Sequence, residues 1–123
     1  MPERAVVSKE LSNLLGALAH PHRVRIIAEL GGREMDVNSL QNELGTSHSS
    51  VSQNLAVLRA HKLVAERREG RRVIYRLINP ELAAWLLQGI GFLEDRLAGA
   101  EVMRNAVASV KGSWSKPDEP AES

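Results

Sequence analysis

The segment from Asp36 to Ile78 constrains the fold most, because its apolar spacing is helical as far as His61 and strand-like beyond Leu63. Val51, Leu55 and Leu58 fall at i, i+4 and i+7, the buried stripe of a helix predicted over roughly 47–61. Ahead of it, Asp36 is positioned to cap a short helix containing Val37, Leu40 and Leu44. Gly45 ends that helix and Ser47 caps the next. Turning each residue by about 100° places Ser49, Gln53, Ala56 and Ala60 opposite the buried stripe, with Ser50 and Ser52 beside them. Two helices joined by a tight glycine turn, the second polar on its outer side, form a helix-turn-helix pattern over 36–61.

A hairpin is predicted directly after it, over 63–78. Leu63-Val64-Ala65-Glu66-Arg67-Arg68 leads to Glu69-Gly70, and Arg71-Arg72-Val73-Ile74-Tyr75-Arg76-Leu77-Ile78 returns. The returning arm is rich in β-branched and aromatic residues, and Gly70 supplies the positive φ of a tight turn. Charge concentrates here. Residues 59–76 hold seven basic side chains against two acidic ones, in a chain whose net charge is only +1, so the remainder is acidic. Such asymmetry favours a polyanion gripped on one face.

The flanks read as helices. Val7, Leu11, Leu14 and Leu18 mark a first helix that His20-Pro21 interrupts; proline suits the first position of a second helix, which Gly31-Gly32 stops after Leu30. From Pro80 to Lys111, Leu82, Leu86, Ile90, Leu93, Leu97, Met103 and Val107 keep helical spacing, so one long last helix is expected over 80–111. That stripe is longer than one small core can cover, and a second copy of the chain is its expected cover, with the first helix joining in. The dimer contacts are assigned to Leu11, Leu14, Leu18, Leu86, Ile90, Leu93 and Leu97. The whole reads as a single domain over 1–111, followed by a flexible tail over 112–123 rich in Gly, Ser, Pro and acids. The fold class is mainly α with a small β-hairpin and about five helices.

Several functions are set aside by composition. The chain has 123 residues and no cysteine, so disulfides and thiolate metal sites are excluded. No run of 18 apolar residues is present and the N-terminus carries no signal-type stretch, so a cytoplasmic protein with no membrane partner is expected. His20 and His22 do not share a helical face and have no evident third ligand; surface or capping roles fit them better, and neither metal nor cofactor is expected. No nucleophile–base pair and no phosphate-cradling glycine loop suggests an enzyme. Trp85 and Phe92 read as core or dimer filler, with a small apolar pocket between the last helices left open, and Trp114 falls in the expected tail without a role.

The small and polar outer face of the 47–61 helix suits a DNA major groove. The Gln53 amide matches adenine N6 and N7. Ser49, Ser50 and Ser52 donate to bases or phosphates, and Ser47 and His48 offer a helix N-terminus to a phosphate. Arg67, Arg68, Arg71 and Arg72 bracket the hairpin turn, where they lie along the DNA backbone or reach a minor groove, and Arg59 joins this basic set. The alternative is a winged-helix module that docks on another protein.

Three linked stretches resemble the ArsR/SmtB family of bacterial winged-helix repressors. They are Leu18-Ala19-His20-Pro21-His22-Arg23-Val24-Arg25-Ile26-Ile27, then Ser49-Ser50-Val51-Ser52-Gln53-Asn54-Leu55-Ala56-Val57-Leu58-Arg59, then Leu63-Val64 with Arg68-Glu69-Gly70-Arg71-Arg72-Val73-Ile74-Tyr75. The resemblance covers about 11–98. It implies a homodimer built from the first and last helices, binding an inverted-repeat operator in double-stranded DNA until an inducer arrives. Where many members of that family carry a sensing cysteine pair, this chain reads Met35-Asp36-Val37-Asn38, and its last helix has no histidine. The inducer is therefore unidentified.

Overall fold

In a computed structural model the chain is described over residues 2–96 and 101–114. Helix α1 spans Pro2–Leu18 and α2 spans Pro21–Glu29. A two-residue strand, β1 (Met35–Asp36), precedes α3 (Val37–Leu44) and α4 (His48–Ala60). Strands β2 (Val64–Glu69) and β3 (Arg72–Leu77) form the hairpin, and α5 (Glu81–Arg96) and α6 (Glu101–Trp114) follow.

Local chemistry sets the boundaries. His20 is the N-cap of α2, its Nδ1 accepting from the His22 N–H at 3.1 Å, with Pro21 at the first helical position. Asp36 caps α3 by accepting from the Ser39 N–H at 2.8 Å. Gly45 closes that helix at φ +66 and Ser47 opens α4 by accepting from the Ser50 N–H at 3.1 Å. Gly70 takes φ +65 at the hairpin tip.

The core lies where α2, α3 and α4 meet the root of the hairpin: Ile26, Ile27, Leu40, Val51, Leu55, Leu58 and Val64 are buried to 1% exposure or less. Burying each such side chain contributes on the order of 1.5–3 kcal/mol. Gly31 permits α5 to close on α2, since a Cβ there would meet the Ala83 Cβ at 2.5 Å.

The sheet has three strands in the order β1-β3-β2, all antiparallel, with Met35 opposite Tyr75 and Val64 opposite Leu77. The expected hairpin thus gains β1, a strand too short for any alternation to register. The single last helix expected over 80–111 is corrected to two. Helix α6 packs back against α5, burying Val107 and pairing Lys111 Nζ with Glu94 Oε1 at 2.7 Å. Apolar residues keep their spacing through 97–100, so periodicity carried no trace of the division. Gly112, Ser113 and Trp114, assigned to a tail, complete α6. The rest of that tail lies outside the described residues. Among the described residues no helix is long and apolar enough to cross a membrane.

Candidate nucleic-acid interface

Helix α4 presents the expected face. Val51, Leu55 and Leu58 point into the core, while His48, Ser49, Gln53, Ala56, Arg59 and Ala60 are exposed. The serines divide. Ser47 Oγ accepts the capping bond and lies 3.3 Å from Ser49 Oγ. Ser52 is half-buried, and Ser50 is turned inward with its hydroxyl 3.3 Å from His22 Nδ1. Ser50 is therefore a structural contact of α2 in this conformation, unlike the outward donor expected for it.

Asn54 escaped the sequence reading. It is 8% exposed, its Oδ1 accepts from Arg23 Nη1 at 3.2 Å, and its Nδ2 donates to the Ser50 carbonyl at 2.9 Å. An asparagine one place after Gln53 and one before Leu55 was the available signal, since a polar residue on the buried stripe demands a partner.

The hairpin arginines are unequal. Arg67 pairs with Glu34 and, at 3.1 Å, with Glu69, and the Glu34 hydrogen bond holds its guanidinium above the ordinary arginine value. Arg72 Nε donates to Asp36 Oδ2 at 3.0 Å. Arg59 pairs with Glu66 at 2.7 Å, whose other oxygen accepts from the Tyr75 hydroxyl at 2.9 Å. Burial, with that hydrogen bond adding to it, pushes the Tyr75 phenol up. Arg68 and Arg71 have no carboxylate partner among the described residues and are exposed at the hairpin tip. The fold brings His48 beside Arg71 and Arg72 in a cleft also lined by Asp36, Asn38 and Val73. That cleft joins the start of α4 to the hairpin, so a phosphate lying there meets a helix N-terminus and a guanidinium together.

The residues assigned to a dimer are partly spent within one chain. Leu18 is buried in the core at 5% exposure, a correction to its assignment as a contact with a second copy. Leu14 and Leu86 are half-buried against that core. Ile90 is half-buried and shares a small cavity of about 50 Å³ with Val24, Ala28, Leu87 and Trp114. Trp114 closes that cavity, its Nε1 donating to Glu29 Oε1 at 3.3 Å. Leu11 and Leu93 remain exposed, as do Val7, Leu15, Trp85 and Phe92. Leu97 lies outside the described residues. No group of three or more His, Asp or Glu among the described residues is arranged to hold a metal ion.

Helices α3 and α4 across the Gly45 turn, followed by a basic hairpin, define a winged helix-turn-helix protein. A helix-turn-helix domain model matches residues 18–67. The HTH-type transcriptional regulator KmtR of Mycobacterium tuberculosis is 40% identical over 73 residues, 59% of this chain and 56% of that protein, so the match spans little over half of that relative. Rv0081 of the same organism, an uncharacterized HTH-type transcriptional regulator, is 38% identical over 92 residues, 71% of this chain and 81% of that protein. Among solved structures, the homodimeric winged helix-turn-helix DNA-binding domain Mb0332 from Mycobacterium bovis, a possible ArsR-family regulator, superposes with a TM-score of 0.66 at 26% identity, covering 79% of this chain and 91% of that one. The chain belongs to the ArsR/SmtB family of winged-helix DNA-binding transcriptional regulators.

Proposed function

We propose that the protein is a homodimeric repressor that occupies an inverted-repeat operator, with α4 in the major groove and the hairpin on the flanking backbone. The observation that carries this reading is the cleft shared by His48 and Arg71 at the start of α4, the helix whose exposed face carries Gln53. One helix thus carries both a surface suited to phosphate and an amide suited to reading a base. Gln53 and Ser49 supply direct readout; Arg68 and Arg71, which have no carboxylate partner among the described residues, supply the grip. Apolar side chains standing in solvent on α1 and α5 support the dimer, Val7 at 65% exposure and Phe92 at 73% among them. The homodimeric state of the related Mb0332 domain supports it too. Signal reception does not use cysteine, and repression is relieved by an inducer of another kind.

Selection from a pool of randomised duplexes tests this reading. The expected product is an inverted repeat whose half-site centres lie about 10 base pairs apart, or a multiple of that. Failure to enrich any sequence, or enrichment of a site without two-fold symmetry, would contradict it.

A further inference from the structure

Apolar contacts hold α4 to the core, but such contacts are non-directional and leave a helix some freedom to turn about its axis. At a radius of about 6 Å, a turn of roughly 20° moves a side-chain tip by about 2 Å, enough to break a hydrogen bond to a base. Base reading by Gln53 therefore needs a directional restraint on the inner side of α4.

The structure contains one. Arg23, on α2, uses two separate arms of its guanidinium. Nε donates to the Ala17 carbonyl at the end of α1 at 2.6 Å, and Nη1 donates to Asn54 Oδ1 at 3.2 Å. The Asn54 amide is held at both ends, since its Nδ2 donates back to the Ser50 carbonyl one turn earlier at 2.9 Å. Ser50 Oγ lies 3.3 Å from His22 Nδ1, and the His22 N–H is fixed by the His20 ring at 3.1 Å. Every group in this chain of contacts is at least part-buried, and Asn54 is 8% exposed, so withdrawal of a partner leaves a buried amide unsatisfied.

We propose that Arg23 and Asn54 are positioning residues that set the rotation of α4 against the α1–α2 junction, and thereby the aim of Gln53. Neither touches DNA. Asn54 directly follows Gln53, so fixing the direction of one fixes the other about 100° round the helix. The restraint passes through Ala17 to α1, so the placement of the base-reading helix follows the orientation of the first helix. The inference rests on the proposed role of Gln53 in base readout.

The experiment compares affinity for the duplex recovered by selection with affinity for a scrambled duplex of the same composition, using the full chain. Asn54→Ala is expected to lower the selected-to-scrambled ratio at least tenfold while scrambled binding changes less than threefold. Arg23→Lys keeps the charge and stem but offers one ammonium in place of two separated arms, and is expected to lower the ratio at least fivefold with helical content retained. The double variant should do no worse than the poorer single, because both break one linkage. Equal losses on both duplexes, an unchanged ratio in folded Arg23→Lys, or additive effects in the double variant would overturn the proposal. A wild-type chain without preference between the duplexes would instead defeat the reading of Gln53, a separate outcome.

Discussion

Asp36 and Arg72 join the hairpin to the helix-turn-helix through one carboxylate: Oδ2 accepts from Arg72 Nε at 3.0 Å while Oδ1 accepts from the Ser39 N–H at 2.8 Å. The Ser39 backbone bond, with the Ser39 side chain and Arg72 adding to it, holds the Asp36 carboxyl below the usual carboxylate range. A carboxyl depressed by folding stabilises the native state at pH values above its unfolded pKa, and that contribution is lost as pH falls through the folded value. Asp36→Asn should therefore narrow the stability gap to wild type as pH falls below the ordinary carboxylate range. Asp36→Ala should cost about 1 kcal/mol near neutrality through the lost cap. Urea unfolding across pH checks both.

Arg71 and Arg67 lie on opposite sides of the same turn, yet among the described residues only Arg67 of the two is held by carboxylates. Arg71→Ala should weaken binding to all duplexes and reduce the salt slope by about one, whereas Arg67→Ala should change it less. Glu34→Gln leaves Arg67 with Glu69 alone and removes a negative charge beside the hairpin, so it should tighten binding to DNA of any sequence. Fluorescence anisotropy at several salt concentrations separates these outcomes.

Gln53 is exposed on the face opposite Val51, Leu55 and Leu58. Gln53→Ala should cost about 1–3 kcal/mol on the selected site and far less on scrambled DNA. Equal losses on the two duplexes would remove Gln53 as a reader.

Gly31 faces Ala83 at a distance that admits no side chain. Gly31→Ala should destabilise the fold by about 1–3 kcal/mol through overpacking of α2 against α5. Its urea midpoint should fall without a change of slope.

The central helices and the hairpin were legible because their signals are local: caps at Asp36 and Ser47, glycines at 45 and 70, and one clean stripe through Val51, Leu55 and Leu58. What escaped depends on contacts between distant residues. The division of the last helix goes with the burial of Val107 and the packing of Trp114 on α2 and α5, which spacing alone does not encode. Likewise, composition shows four arginines around the turn, but only the placement of Glu34 and Asp36 separates the held ones from the free ones. On a helical wheel Ser50 flanks the outward strip that holds Gln53, so spacing alone leaves its direction open. The partner 28 residues away, His22, turns Ser50 inward.

The most direct test of a DNA-gripping hairpin beside a base-reading helix is the dependence of duplex affinity on salt concentration. Four to eight phosphate contacts per dimer predict a slope of roughly −4 to −7 in a plot of log affinity against log salt. A flat response would contradict the account and point to a winged-helix module that docks on another protein.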